Sequence, residues 1–107
     1  MSNVTHGTTN VFEDLGYADA GERQVKTRLA LAVNDILKGR KLKQREIGEI
    51  LGVPQPKVSA LKHYRLDQFS IEKLMAFLVT LNRDVEITIR PHRNSEEAGS
   101  ISVLAVQ

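Results

Sequence analysis

The sequence contains no cysteine, which removes disulfide staples, thiol nucleophiles and thiolate metal sites from consideration and fits a reducing compartment. It has no uninterrupted apolar run near the roughly 18 residues of a membrane span. The polar start, Ser2 to Gly7, lacks the apolar core of a secretory signal, so a soluble chain working in the cytoplasm is expected. No Lys or Arg precedes Arg23, which argues against an N-terminal arm reaching into a minor groove. His6, His63 and His92 are scattered without paired ligand spacing, and there is neither a glycine-rich phosphate loop nor a recognisable nucleophile motif. The expectation is a protein that is not an enzyme and carries no metal or other cofactor.

What is present is enough for one domain: 107 residues, 41% of them hydrophobic, can bury one modest core. The formal net charge is only +2, but it is unevenly spread. Lys38, Arg40, Lys41, Lys43, Arg45, Lys57, Lys62 and Arg65 fall in one stretch opposed only by Glu46 and Glu49. Such a local excess of positive charge suits a phosphate backbone, whereas an ordinary solvated helix face mixes both signs.

Residues 1–18 read as an N-terminal arm followed by a short packed segment. The arm is polar to about residue 11, and Val11, Phe12, Leu15 and Tyr17 form an apolar cluster that packs on the core or, on a sharper reading, docks a partner. Residues 19–82 form the main domain. Asp19 opens its first helix, with Glu22 at capping-box spacing. Val25, Leu29, Val33, Ile36 and Leu37 then give an apolar stripe, with Arg23, Lys26, Arg28 and Asp35 outside it. Gly39 marks the end of this helix, beside Arg40 and Lys41, whose charges favour a helix C-terminus.

The most informative stretch runs from Leu42 to His63. Ile47, Ile50 and Leu51 recur at helical spacing, Gly52 can end a helix in the left-handed conformation, and Val58 and Leu61 form a second apolar pair after Val53. Two short helices across a tight turn containing Gly are the plan of a helix-turn-helix, although any helical hairpin would satisfy the spacing alone. Chemistry separates these readings. On a helical wheel Pro56, Ser59, Ala60 and His63 face away from Val58 and Leu61, flanked by Gln55, Lys62 and Lys57, with no carboxylate among them. Small side chains let a helix approach base edges, and a Gln can pair with both the amino group and N7 of an adenine.

Beyond this pair, Leu66 and Phe69 anchor a loop carrying Tyr64 and Arg65, of which Arg65 is the expected phosphate contact. Ser70 caps a last helix with Ile71, Leu74, Phe77, Leu78 and Leu81 on its apolar face, and Asn82 terminates it. In residues 83–107 the period changes: Val85, Ile87 and Ile89 alternate with Glu86, Thr88 and Arg90, which predicts a strand ended by Pro91. A lone strand leaves its edge unpaired, and an identical strand across a two-fold axis would satisfy it, so Val85, Ile87 and Ile89 are the expected dimerisation residues. His92 to Ser100 reads as a loop, and Ile101 to Val106 as a second strand or a tail ordered by assembly.

The segment Leu42 to Leu81 resembles the Xre, or phage-repressor-like, helix-turn-helix domain through Leu42, Gln44, Glu46, Leu51, Gly52, Val53, Gln55, Val58, Ser59 and Leu61. The resemblance implies a mainly α fold: a phage-repressor-like bundle of four to five helices, here with a C-terminal β-strand or small sheet at a dimer interface. It also implies a sequence-specific DNA-binding transcriptional regulator, a dimeric repressor that reads an inverted repeat in double-stranded DNA. Gln44 would hold a phosphate and support the first base-reading residue. Gln55, Ser59 and Ala60 would read bases, and Lys57 would read or hold phosphate. Lys43, Arg45, Lys62, His63 and Arg65 would position the backbone. Two positions depart from the pattern. Pro56 can meet a base only through its apolar ring, and Lys43 stands where the pattern places a capping Thr. With Asn10 to Gly16 in front and Asp84 to Pro91 behind, residues 10–91 also look like the HigA-like antitoxin subgroup. That likeness implies a second role: binding and neutralising a partner toxin while regulating its own operon.

Overall fold

The computed structural model describes residues 19–94 and 96–106. Among the described residues there are four helices: α1 (Asp19–Arg40), α2 (Gln44–Leu51), α3 (Gln55–Lys62) and α4 (Ile71–Thr80). The long α1 packs most extensively on α4, α2 and α3 pair with each other, and both pairs close on one core. The expected apolar cluster at Val11, Phe12, Leu15 and Tyr17 lies outside the described residues.

The described part of α1 runs from Asp19 and buries Val25, Leu29, Ala30, Val33 and Leu37 at steps of one helical face. Ile36 sits only at the rim of the core, and fully buried Ala30 takes a place the larger apolar residues did not advertise. Arg23, Arg28 and Asp35 stay exposed, and Lys26 pairs with Glu22 one turn earlier at 3.6 Å. The end of α1 differs from expectation. The helix runs through Gly39 to Arg40, and Lys41, at φ 55°, supplies the left-handed residue. Gly39 is free to stay helical because the stop comes from the Lys41 turn, whose N–H donates to the Lys38 carbonyl at 3.3 Å.

Ser70 caps α4 as expected, its Oγ accepting from the Lys73 N–H at 3.0 Å. Leu74, Phe77 and Leu78 are buried on α4, and Leu81 just beyond it is buried as well. Asn82 takes φ 67° at the helix end, where its N–H donates to the Val79 carbonyl and that of Arg83 to the Leu78 carbonyl. This is the paired-bond stop that closes many helices, with Asn in place of the usual Gly. Arg40 reaches across from α1 and donates to the Leu81 carbonyl at 3.2 Å, adding a cation where the last carbonyls of α4 collect.

Among the described residues the expected C-terminal strands are not found. Residues 83–94 and 96–106 carry neither strand nor helix. Alternation decides which side chains share a face, but a strand exists only when a neighbouring ladder accepts its backbone bonds, and the single chain supplies none over Val85 to Arg90. Val85 and Val103 settle against the edge of the core, whereas Ile87 is 74% and Ile89 92% exposed. Residues Val103 to Ala105 lie beside the outer surface of α1, near Arg28, Leu31, Ala32 and Asp35.

Candidate nucleic-acid interface

The geometry of the interface is set by the turn between α2 and α3. Gly52, at φ 73°, lets the chain reverse, and the N–H groups of Gly52 and Val53 both donate to the Gly48 carbonyl at 2.8 and 3.0 Å. Gly48 is itself required: a Cβ there would lie 2.7 Å from the Val53 carbonyl oxygen. Ile47 and Leu51 fix α2 to the core, while Ile50, expected to join them, is 38% exposed because α2 is short and its third apolar residue falls on the rim.

The start of α2 resolves the question posed by Lys43. The Lys43 ammonium has no acceptor to offer the exposed helix-start amides, but the Glu46 carboxylate accepts from the Lys43 backbone N–H at 2.8 Å. Half of a capping box is therefore present, and the Lys43 side chain remains free to point into solvent.

Helix α3 begins after Pro54, with Pro56 in its first turn. A proline fits there because the first amides of a helix have no internal partner anyway, so Pro56 serves α3 as a starter whatever else its ring touches. Val58 and Leu61 have no exposed surface, and they seat the helix. Opposite them Gln55, Pro56, Lys62 and His63 are exposed. Ser59 and Ala60 are only half-exposed, and Ala60 leans on the core, so the outward face is narrower than the wheel suggested. Lys57 is also half-buried, its Nζ 5.6 Å from the centre of the Phe69 ring. Phe69 in turn meets Phe77 edge-on at 5.9 Å, so Lys57 is held against the loop after α3 and not aimed outward.

The C-terminal end of α3 is fixed by three backbone bonds. The N–H of His63 donates to the Ser59 carbonyl, that of Tyr64 to Leu61, and that of Arg65 to Ala60. The His63 Nδ1 also lies 2.8 Å from the Ser59 carbonyl oxygen, which assigns the ring proton to Nδ1 and turns Nε2 outward. Arg65 is exposed next to it, and Leu66 and Phe69 anchor the loop as expected.

On the neighbouring helix, Lys43 and Arg45 are exposed and Gln44, the first residue of α2, is half-buried. None of Lys43, Arg45, Lys57, Lys62 and Arg65 forms an ion pair among the described residues, whose ion pairs are Glu22–Lys26 and Glu97–His92. Their charge is left for an external anion. A further contributor, only weakly marked by its own segment, is Asn34 of α1, whose Nδ2 donates to the Leu61 carbonyl at 3.0 Å. An amide one position past Val33 in an otherwise apolar stripe was the available clue.

A helix seated by two apolar residues, presenting an amide and cations outward, and braced by a second short helix across a glycine turn, defines a helix-turn-helix DNA-binding domain. The helix-turn-helix domain family matches residues 11–90. A solved chain described as an XRE family transcriptional regulator superposes with a TM-score of 0.77 at 48% sequence identity, covering 83% of this chain and 100% of that one. No curated protein matches the sequence. The chain belongs to the Xre-type helix-turn-helix regulators.

Proposed function

We propose that this protein is a dimeric, sequence-specific transcriptional repressor that places α3 in the major groove of an inverted repeat and excludes polymerase. The observation carrying this reading is the face of α3: Val58 and Leu61 are fully buried while Gln55, Pro56, Lys62 and His63 stand exposed, in a setting of cations without carboxylate partners. Gln55, in the first turn, reaches base edges first and pairs best with adenine. Ser59 and Ala60, less exposed, add van der Waals contact only where the groove comes close. Lys43, Gln44, Arg45, Lys62, His63 and Arg65 hold phosphates on either side, and Lys57 contributes charge from its place over Phe69.

One such helix reads too few base pairs to select a site in a genome. Two copies about 34 Å apart on one face of the duplex double the contact, and Val85, Ile87 and Ile89 supply the apolar surface that joins them. A second chain would remove from water the two isoleucines that the single chain leaves exposed. No described helix is long and apolar enough to cross a membrane, in keeping with work on DNA in the cytoplasm.

A second reading is favoured by the apolar residues beyond the helix-turn-helix. Leu31 on α1 and Leu104 and Val106 near the end of the described residues are all exposed, apolar surface additional to that of Ile87 and Ile89. On that reading the chain is an antitoxin of the HigA-like kind, covering a toxin with this surface and repressing its own operon with α3. Selection of duplexes from a random-sequence pool, followed by salt titrations on the winner and a scrambled control, tests the repressor reading. An inverted repeat with tight, salt-sensitive binding supports it, and equal affinity for both duplexes overturns it. Copurification with the product of the adjacent gene separates the antitoxin role.

A further inference from the structure

The stop of α3 sets a bulky side chain in a left-handed backbone conformation. Among the described residues Lys41, Tyr64 and Asn82 adopt left-handed angles without being glycine, and Tyr64, at φ 60°, is the bulkiest. It occupies the position after the helix cap, between the Leu61 and Ala60 carbonyl bonds, where glycine is normally preferred because a Cβ crowds the backbone. Strain of this kind persists when something else requires the side chain.

The core does not require it. Tyr64 is 41% exposed and stands outside the buried cluster, and Leu66 and Phe69 already anchor the turn. Its hydroxyl makes no hydrogen bond among the described residues. Its neighbours are Lys62, His63 and Arg65, all exposed and all capable of holding an anion. A phenol in that company is a neutral hydrogen-bond donor set into a phosphate-seeking surface.

We propose that Tyr64 is a DNA-contacting residue whose Oη donates to a backbone phosphate at the edge of the groove occupied by α3, and that the strained backbone is retained for this contact. The inference rests on the DNA-binding reading above and deepens it. It separates stability from affinity at one position: relieving the strain strengthens the fold and weakens the complex. A residue kept for packing would move both in the same direction.

The test uses the full chain, the duplex selected by the wild-type protein, and a scrambled duplex of the same composition. Tyr64→Phe keeps the ring and removes the donor, so affinity should fall about 3- to 10-fold on both duplexes, as for one lost hydrogen bond, with the melting temperature unchanged. The salt slope should not change, whereas Arg65→Ala should reduce it by about one, because only the latter removes a charge. Tyr64→Gly should raise the melting temperature by roughly 4 °C or more and bind no better than Tyr64→Phe. Wild-type affinity in Tyr64→Phe, or an unchanged or lowered melting temperature in Tyr64→Gly, overturns the proposal. Failure of the wild-type protein to prefer or hold any duplex instead removes the DNA-binding reading on which it stands.

Discussion

The Asn34 amide on α1 donates to the Leu61 carbonyl in the last turn of α3 at 3.0 Å, joining residues 27 positions apart. The same carbonyl accepts from the Tyr64 N–H at 3.2 Å, so one oxygen ties the recognition helix both to its own stop and to the longest helix of the domain. The other half of the amide has no such use: Asn34 Oδ1 is buried without a hydrogen-bond partner. A buried acceptor left alone is costly, so the Asn34 bond to α3 contributes orientation more than stability.

Substitution at Asn34 should therefore split by chemistry. Asn34→Ala loses one hydrogen bond and also one orphaned acceptor, and should destabilise by no more than about 1 kcal/mol. Asn34→Asp has nearly the same shape but cannot donate when ionised, and it faces the Leu61 carbonyl oxygen with a carboxylate. It should lose about 3 kcal/mol at neutral pH. Burial and the facing carbonyl raise the pKa of that Asp in the folded state, so the folded form holds its proton to higher pH than the unfolded chain does. The deficit should accordingly shrink as pH falls and the protonated carboxyl donates in place of the amide. Denaturant titrations across pH would read this, and equal losses for both variants at every pH would show that the amide donor is not what matters.

Gly48 offers a test in which helix propensity and sterics oppose each other. In an exposed helix Gly→Ala gains up to about 1 kcal/mol. At Gly48 the added Cβ would lie 2.7 Å from the Val53 carbonyl oxygen, an atom of the turn backbone that cannot swing aside. Gly48→Ala should be destabilising by about 1 to 3 kcal/mol and should weaken DNA binding further, because the relief available is to open the angle between α2 and α3. A melting temperature at or above that of the wild type would show the turn to be softer than its geometry implies.

These cases show what the sequence could and could not convey. Helix periodicity located α1 to α4, and local chemistry identified Gly52, Ser70 and Asn82 as their stops and caps, because those effects act within a few residues. Gly39 misled because a glycine permits the left-handed turn without requiring it, and Lys41 took it instead. The strand expected at Val85 to Arg90 failed for a different reason: alternation is a property of one segment, whereas a strand is a property of two. At the interface, Gln55, Pro56, Lys62 and His63 are exposed as the wheel foretold, and Arg65 is exposed in the loop beyond it. Lys57 could not be foreseen, since its placement over Phe69 depends on how the following loop folds back. Asn34 could not be foreseen because its bond to Leu61 is a contact across the fold, and the loop carrying Tyr64 was legible as polar while the left-handed angle of Tyr64 was not.

Gln55 and Lys62 occupy opposite ends of α3 and should fail in different ways. On the proposed function Gln55 reads a base edge, so Gln55→Ala should cost about 1 to 3 kcal/mol on the selected duplex with little loss on a scrambled one. Lys62→Ala should weaken both duplexes similarly and reduce the salt slope by about one. Binding isotherms on the two duplexes at several salt concentrations give both quantities. Equal losses for Gln55→Ala on both would remove it from the base-reading set.

The apolar segment after α4 bears on assembly. Ile87 and Ile89 are 74% and 92% exposed, while Val85 between them and the core is only half-exposed, so the segment leaves the body of the domain with its largest apolar side chains in water. Exchanging Ile87 and Ile89 together for Lys changes nothing buried in the single chain, and the unfolding free energy of a monomer should move by no more than about 0.5 kcal/mol per site. If the segment joins two copies, the same double substitution removes the apolar contact and sets like charges across the two-fold axis. Sedimentation should then show a dimer for the wild type and a monomer for the variant at equal concentration. Affinity for an inverted repeat should fall much further than affinity for an isolated half-site, since two linked recognition helices bind a paired site with an advantage that single ones lack. A variant that remains dimeric, or a wild type that sediments as a monomer at concentrations where it fills the inverted repeat, would place the contact between copies elsewhere on the domain.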